Sequence, residues 1–253
     1  MEISNPAEHY TGIRLAAARV AASRESVDIE EARTGALTTS AGEEWMSLLD
    51  GSQRFPAGRL LYCLVFKRWF DLPVACVLLP LLVPVFLAVA LAIRLEGRMT
   101  GVLFRQTRIG RNGRPFTVYK FQTMIPEQRT DGDFPTVHKV WNDPRITRVG
   151  HFLRRTSLDE LPQLINVVRG EMSLVGPRPE LPQIVARYEP WQHERHLVRP
   201  GMTGWWQVNG RSERPMHENT ELDIYYVVNQ SFRLDLEILL RTIGVVTRMS
   251  GAF

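Results

Sequence analysis

The 253 residues are 44% hydrophobic and 23% charged, which is enough apolar content for a sizeable core and excludes a disordered or fibrous chain. Residues 1–62 hold 9 acids and 6 bases (−3), so the other 18 acids and 25 bases (+7) account for the net +4. That basic remainder favours an anionic partner, such as a membrane surface, nucleic acid or a phosphorylated substrate. Cys63 and Cys76 sit in apolar surroundings with no metal-like spacing, which excludes a disulfide framework or zinc site and fits a reducing compartment.

The opening "MEISNPAEHY" lacks the basic start and apolar run of a secretory signal. Residues 1–62 read as a polar, mobile or partner-binding extension. Short helices are expected around "RLAAARVAASR" and from Ser40, where Glu43 completes a capping box. From Leu72 to Ile93 the chain runs 22 residues without a charge (93 − 72 + 1). At ~1.5 Å per residue such a helix just spans the ~30 Å hydrocarbon layer. Pro73, Pro80 and Pro84 interrupt it, and bases flank both sides: Arg59, Lys67 and Arg68 before, Arg94, Arg98, Arg105 and Arg108 after. A spanning helix keeps its excess bases on one side. Bases on both favour a re-entrant hairpin over residues 63–96 that dips in and returns, leaving residues 97–253 as a domain of soluble pattern on one face.

"GVLFRQTRIGRNGRPFTVYKFQTM" predicts two strands around the turn signal "GRNGR". "DPRITRVGHFLRRTSLDELPQLINVVRGEM" has helical periodicity, "GPRPE" breaks it, and "LPQIVARYEPWQHERHLV" restarts it. "RPGMTGWWQVNGR" reads as a glycine- and aromatic-rich loop offering Arg199, Gln207, Asn209 and Arg211 beside Trp205 and Trp206. His193 and His196 lack a third metal ligand and are assigned to surface or packing roles. The last segment, "SFRLDLEILLRTIGVVTRM", is amphipathic, as suits a helix on anionic lipid or one packed on the core. The expected class is α/β, mainly helical with a small β element.

The chemistry concentrates in "RRTSLDELPQ". Ser157 and Glu160 have capping-box spacing, which puts Asp159 and Glu160 in the first turn of a helix, where acids complement the dipole. A carboxylate there is expected to stay ionised, as a nucleophile or metal ligand, and the same terminus attracts phosphate. Adjacent residues point about 100° apart on a helix, so the two acids take different roles. Arg154 and Arg155 stand one turn upstream. Pro177 and Pro179 restrict the backbone of Arg178, whose planar fork suits a diphosphate.

Six segments in register, "FKRWFD", "RQTRIG", "YKFQTM", "RRTSLDELPQLINVVRGEMSLVGPRPE", "RPGMTGWWQVNGR" and "ELDIYYV", resemble the monotopic bacterial phosphoglycosyl transferases, the bacterial sugar transferase family. The resemblance covers roughly residues 65–253. It implies that Asp159 attacks the β-phosphorus of a UDP-sugar, releasing UMP, and that undecaprenyl phosphate then takes the phosphosugar from the carboxylate. Glu160 would help bind Mg²⁺ and Arg178 would grip phosphate. Lys120, Arg211 and Asp223 match polar positions expected near the nucleotide or metal. Lys67, Arg68 and Asp71 would sit at the mouth of a re-entrant helix, with Arg68 among the substrate-binding residues and Asp71 in ion-pairing distance of both bases. The enzyme would lie on the cytoplasmic face of a bacterial inner membrane, contacting lipids and no nucleic acid, with a homo-oligomer left open. Family members usually carry Ser before the helix-breaking proline. This chain has Val83 before Pro84, so either that pair or Pro80 makes the bend. Two other classes fit the same residues less fully: a membrane-anchored metal-dependent nucleotide-sugar hydrolase, and a membrane-tethered basic binding protein, which has no use for paired acids.

Overall fold

The computed structural model describes residues 62, 66–98, 101–125, 143–209 and 220–247, all within the compact unit Pro56–Phe253. Residues 1–61, Cys63 and Arg211 lie outside the described residues. The described chain is mostly helical with two small two-stranded sheets, consistent with α/β.

The apolar run forms α1 (Lys67–Leu81) and α2 (Val83–Glu96), bent by 57° at Leu82. Pro84, in the first turn of α2, has no N–H to give to the preceding turn. Most of the ladder nevertheless survives: Leu82 N–H donates to Leu78 O and Phe86 N–H to Leu82 O, both at 2.9 Å. Backbone N–H groups at the break reach the carbonyls of both Leu78 and Pro80, so Val83 costs the bend no needed hydroxyl. With so little of the ladder lost, the result is an obtuse elbow, a bend that a broken span and the expected re-entrant segment would both make. Among the described residues no single helix is long and apolar enough to cross a membrane; the two arms meet that requirement only together.

One face of the elbow is buried through Lys67, Asp71 and Ala75 in α1 and Val89 and Ile93 in α2, each spaced by four. The other exposes Trp69 (76%), Val77 (65%), Leu87 (65%) and Leu95 (77%), an apolar face too extended for scattered surface residues. The expected pairing of Asp71 with the bases of its own helix gives way to distant partners. Asp71 Oδ2 accepts from Ser173 Oγ at 2.5 Å, and Lys67 Nζ lies 2.5 Å from Asp235 Oδ2. At 3–4% exposure these groups must be satisfied inside the protein, and other elements supply the partners.

Strands β1 (Leu103–Ile109) and β2 (Pro115–Phe121) pair antiparallel, Leu103 opposite Phe121, as the alternation predicts. The Asn-Gly signal makes the turn, with Asn112 at φ 56° and Gly113 at φ 70°. Phe121 joins Val89, Ile93 and Leu153 in one buried cluster, and its ring meets Phe86 edge-on at 5.7 Å. That cluster seats α2 against β2 and α3 (Arg148–Thr156). A 3-10 helix, Leu158–Gln163, follows and leads into α4 (Leu164–Arg169). Fully buried Asn166 pins α4 to β2: its Nδ2 donates to Thr117 O at 2.7 Å and its Oδ1 accepts from Tyr119 N–H at 3.3 Å.

Next come β3 (Ser173–Val175), α5 (Pro182–Val185), a 3-10 helix Pro190–Leu197, β4 (Gly201–Thr203), α6 (Trp205–Asn209), α7 (Thr220–Asn229) and α8 (Phe232–Thr247). "RPGMTGWWQVNGR" is therefore not a loop over its described part: it supplies β4, parallel to β3 with Ser173 opposite Gly201, and then α6. Its glycines serve close approach rather than turning. A Cβ on Gly201 would stand 2.0 Å from Gly176 N, and one on Gly204 would stand 2.2 Å from Gly176 O. Helix α8 combines both expected faces. Leu234, Asp235 and Ile238 are buried, while Leu236, Leu240 and Ile243, spaced i, i+4, i+7, stay exposed.

Candidate active site

Three segments bring the charged side chains together. Strand β2 supplies Lys120, the 3-10 helix Leu158–Gln163 supplies Asp159 and Glu160, and the "GPRPE" turn after β3 supplies Arg178. Ser157 sets the entry. It closes α3 in the left-handed region (φ 57°, ψ 16°), a conformation rare for serine and typical of sites where surrounding structure over-determines the backbone.

The expected capping box does not form. Ser157 makes no side-chain cap, and the Glu160 side chain turns instead to distant cations. Glu160 Oε1 accepts from Lys120 Nζ at 2.9 Å and Arg178 Nη2 at 2.7 Å, and Oε2 meets Arg178 Nη1 at 3.3 Å. Two charge-assisted partners, one a fork, outweigh a neutral local cap. Asp159 is only half-buried, and no hydrogen bond or ion pair among the described residues holds its carboxylate.

Burial, then the charge of Glu160, pushes the Asp159 carboxyl up to about 6, against the pull of Lys120, Arg178 and Arg154. At pH 7 the group is still mainly carboxylate. Burial lowers Lys120 and Glu160 opposes that shift, whereas Glu160 holds Arg178 well above the usual arginine value. The pair is therefore divided: Glu160 is neutralised by two cations, and Asp159 is a poised, unclamped carboxylate.

Behind the site lies a buried support. Arg195 donates to Asp223 Oδ2 at 2.5 Å, to Arg178 O at 2.7 Å and to Tyr188 Oη. Arg195 and Asp223 side chains are each 1% exposed. Asp223 thus stands inside the protein and reaches the site only through Arg195 and the Arg178 backbone. Arg108 Nη1 meets Glu180 Oε1 at 3.2 Å, and Ile109 N–H donates to Glu180 O at 2.9 Å, fastening the turn to β1. Arg68 is likewise away from the acids. It donates to the carbonyls of Val167 and Val168, the latter at 2.8 Å, at the C-terminal end of α4. Arg108 and Glu180 fall within the quoted segments but carry no local sign of pairing. Arg195, in "HERH", carries no local sign of its role, which its contacts across the fold disclose.

His193 and His196 pack with Tyr188, ring centroids 5.7 and 6.1 Å away, and burial pushes His196 down to about 3. Among the described residues no group of three or more His, Cys, Asp or Glu side chains converges as a metal cage. Mg²⁺ takes one or two carboxylates beside substrate phosphates and water, and because Lys120 and Arg178 engage both Glu160 oxygens, Glu160 would meet a metal only on exchanging one of them.

Among the described residues, a small α/β scaffold thus presents one carboxylate held by arginine and lysine and one that no hydrogen bond or ion pair holds, a charge pattern suited to a phosphorylated ligand. Residues 62–249 match the family described as bacterial sugar transferase, and the chain belongs to that family. It is 42% identical over 199 residues to the UDP-galactose-lipid carrier transferase of Erwinia amylovora, covering 74% of this chain and 41% of that protein. It is 42% identical over 188 residues to the uncharacterized sugar transferase EpsL of Bacillus subtilis, covering 74% and 90%. With the UDP-glucose:undecaprenyl-phosphate glucose-1-phosphate transferase of Escherichia coli it shares 44% over 153 residues, 56% and 32% of the two chains. Against the first and third, the chain spans well under half the relative's length.

Proposed function

We propose that the protein transfers a sugar 1-phosphate from a UDP-sugar to undecaprenyl phosphate, releasing UMP, at the cytoplasmic face of a bacterial membrane, as a first membrane step of surface-glycan synthesis. The observation that carries this reading is the division of the acid pair, Glu160 clamped by Lys120 and Arg178 beside the unclamped Asp159. Family membership and the relatives' names supply the donor and acceptor classes. The exposed apolar face of α1 and α2 supports membrane association.

In this mechanism an Asp159 oxygen attacks the β-phosphorus, forming an acyl phosphate as the bond to UMP breaks. A phosphate oxygen of the acceptor then attacks the same phosphorus, giving the lipid diphosphate sugar and restoring the carboxylate. Arg178 and Lys120 balance charge on the diphosphate, which an anionic nucleophile cannot otherwise approach. Glu160 would hold Mg²⁺, which when bound supplies further charge neutralisation. Arg195 keeps the Arg178 backbone in place. The test is trapping: with UDP-sugar, Mg²⁺ and no acceptor, the protein should release UMP and gain a phosphosugar mass that Asp159→Asn cannot acquire. Normal turnover by Asp159→Asn would refute the nucleophile.

A further inference from the structure

A solvent-open cleft starts at Glu160 and Arg178 and runs between β4, α6 and α8. Away from the charges its lining divides into a polar part, Thr203, Gln207 and Thr242, and an apolar wall, Met202, Val208, Val245 and Val246. Nothing in the proposed donor chemistry calls for such a wall. The diphosphate needs cations, and the sugar hydroxyls need hydrogen-bonding partners, whereas a valine and methionine wall rewards removal of hydrocarbon from water. Beside Val246, one turn away on α8, Ile243 begins the exposed stripe that continues through Leu240 and Leu236 (61%, 61% and 44% exposed). A charged end, an apolar wall and an apolar track outward together match one kind of molecule, an amphiphile with a phosphate head and a hydrocarbon tail.

We propose that the cleft between α6 and α8 is the acceptor's entry: the phosphate of the polyprenyl phosphate sits toward Arg178, and its first isoprene units lie against Met202, Val208, Val245 and Val246. This rests on the donor and acceptor proposed above and adds where the acceptor binds and which residues read its chain. Val245 and Val246 then act on the second half-reaction alone, because the UDP-sugar is consumed before the acceptor is needed.

Val246→Trp, which fills the cleft, should raise KM for undecaprenyl phosphate by about tenfold or more, the scale at which apolar pockets discriminate. It should leave the UMP burst and the phosphosugar adduct formed without acceptor unchanged, and Val246→Ala should shift preference among prenyl phosphates of different chain length. In parallel, a diazirine-bearing prenyl phosphate should crosslink the wild-type protein at the peptides holding Met202 or Val246, in competition with undecaprenyl phosphate. Unchanged acceptor KM in Val246→Trp with crosslinks elsewhere would overturn the assignment. So would loss of the UMP burst in a folded Val246→Trp, which would make the cleft the donor's. A wild-type protein giving no adduct with any UDP-sugar would instead sink the underlying transferase reading, and this inference with it.

Discussion

Replacing Asp223 by Asn tests whether the buried support behind Arg178 is a structural ion pair with a separate positioning role. Both side chains are 1% exposed, and Arg195 Nη2 stands 2.5 Å from Asp223 Oδ2. Asp223→Asn leaves the guanidinium buried without its counter-charge, a change that costs about 3–5 kcal/mol in such pairs. At roughly 3 °C per kcal/mol for a unit of this size, the melt should fall by about 9–15 °C. The assay is thermal unfolding in detergent followed by circular dichroism. The double variant Arg195→Met with Asp223→Leu removes both charges and should recover most of that loss. It also deletes the hydrogen bond from Arg195 to Arg178 O, 2.7 Å in the native protein, so donor KM should remain raised although the fold is restored. A shift below about 3 °C for Asp223→Asn, under 1 kcal/mol on the same scale, would show that the pair does not hold the turn. A double variant with native KM would show that Arg195 does not position Arg178.

Other expectations follow from single contacts. Lys120→Met removes one of the two cations on Glu160, and UMP release should fall by on the order of 100-fold without a change in melting larger than ~1 kcal/mol. Gly201→Ala places a methyl 2.0 Å from Gly176 N and should destabilise by about 3 kcal/mol or abolish folding, read by protease resistance, whereas Gly244→Ala, with open space around it in α8, should stabilise by roughly 0.5–1 kcal/mol. His196 is held down to about 3 by burial and by Arg195, so as pH falls the unfolded chain takes up a proton near 6.5 that the native state refuses. Between pH 6.5 and about 5 this group should therefore remove roughly 1.5 kcal/mol of stability, and denaturant melts of His196→Gln should lack that part of the slope.

What could be read from residues alone was whatever local chemistry decides. The hairpin was legible because Asn112-Gly113 and the alternation around it specify turn and register within two strands. The bend was legible because a proline removes a donor wherever it stands, although its angle depends on which neighbouring N–H groups fill in. Ser157 and Glu160 show the opposite case. Their spacing satisfies a local capping rule, yet Lys120 and Arg178, 40 and 18 residues away, offer Glu160 stronger partners. Strand β4 escaped notice because three residues are too few to show alternation, and its glycines look like loop until Gly176 is laid against them. Asp159, Glu160 and Arg178, singled out by residue type, and Lys120, singled out by the family resemblance, do meet at one place. Arg68 and Asp223 carry the same kinds of charge but are spent on a helix end and a buried guanidinium, a distinction that only packing makes.

The contact between Lys67 and Asp235, joined by Tyr226 Oη 2.7 Å from the other carboxylate oxygen, spans 168 positions of sequence. A ribosome therefore releases the apolar elbow long before the clasp that fastens its base has been made. Throughout that interval the lysine must stay hydrated or lean on a temporary companion, and the elbow is held by the contacts it makes with earlier elements, Phe121 and the carbonyls of Val167 and Val168 among them. Maturation is thus ordered in time: the greasy segment is delivered first, and the fastening arrives 168 residues later.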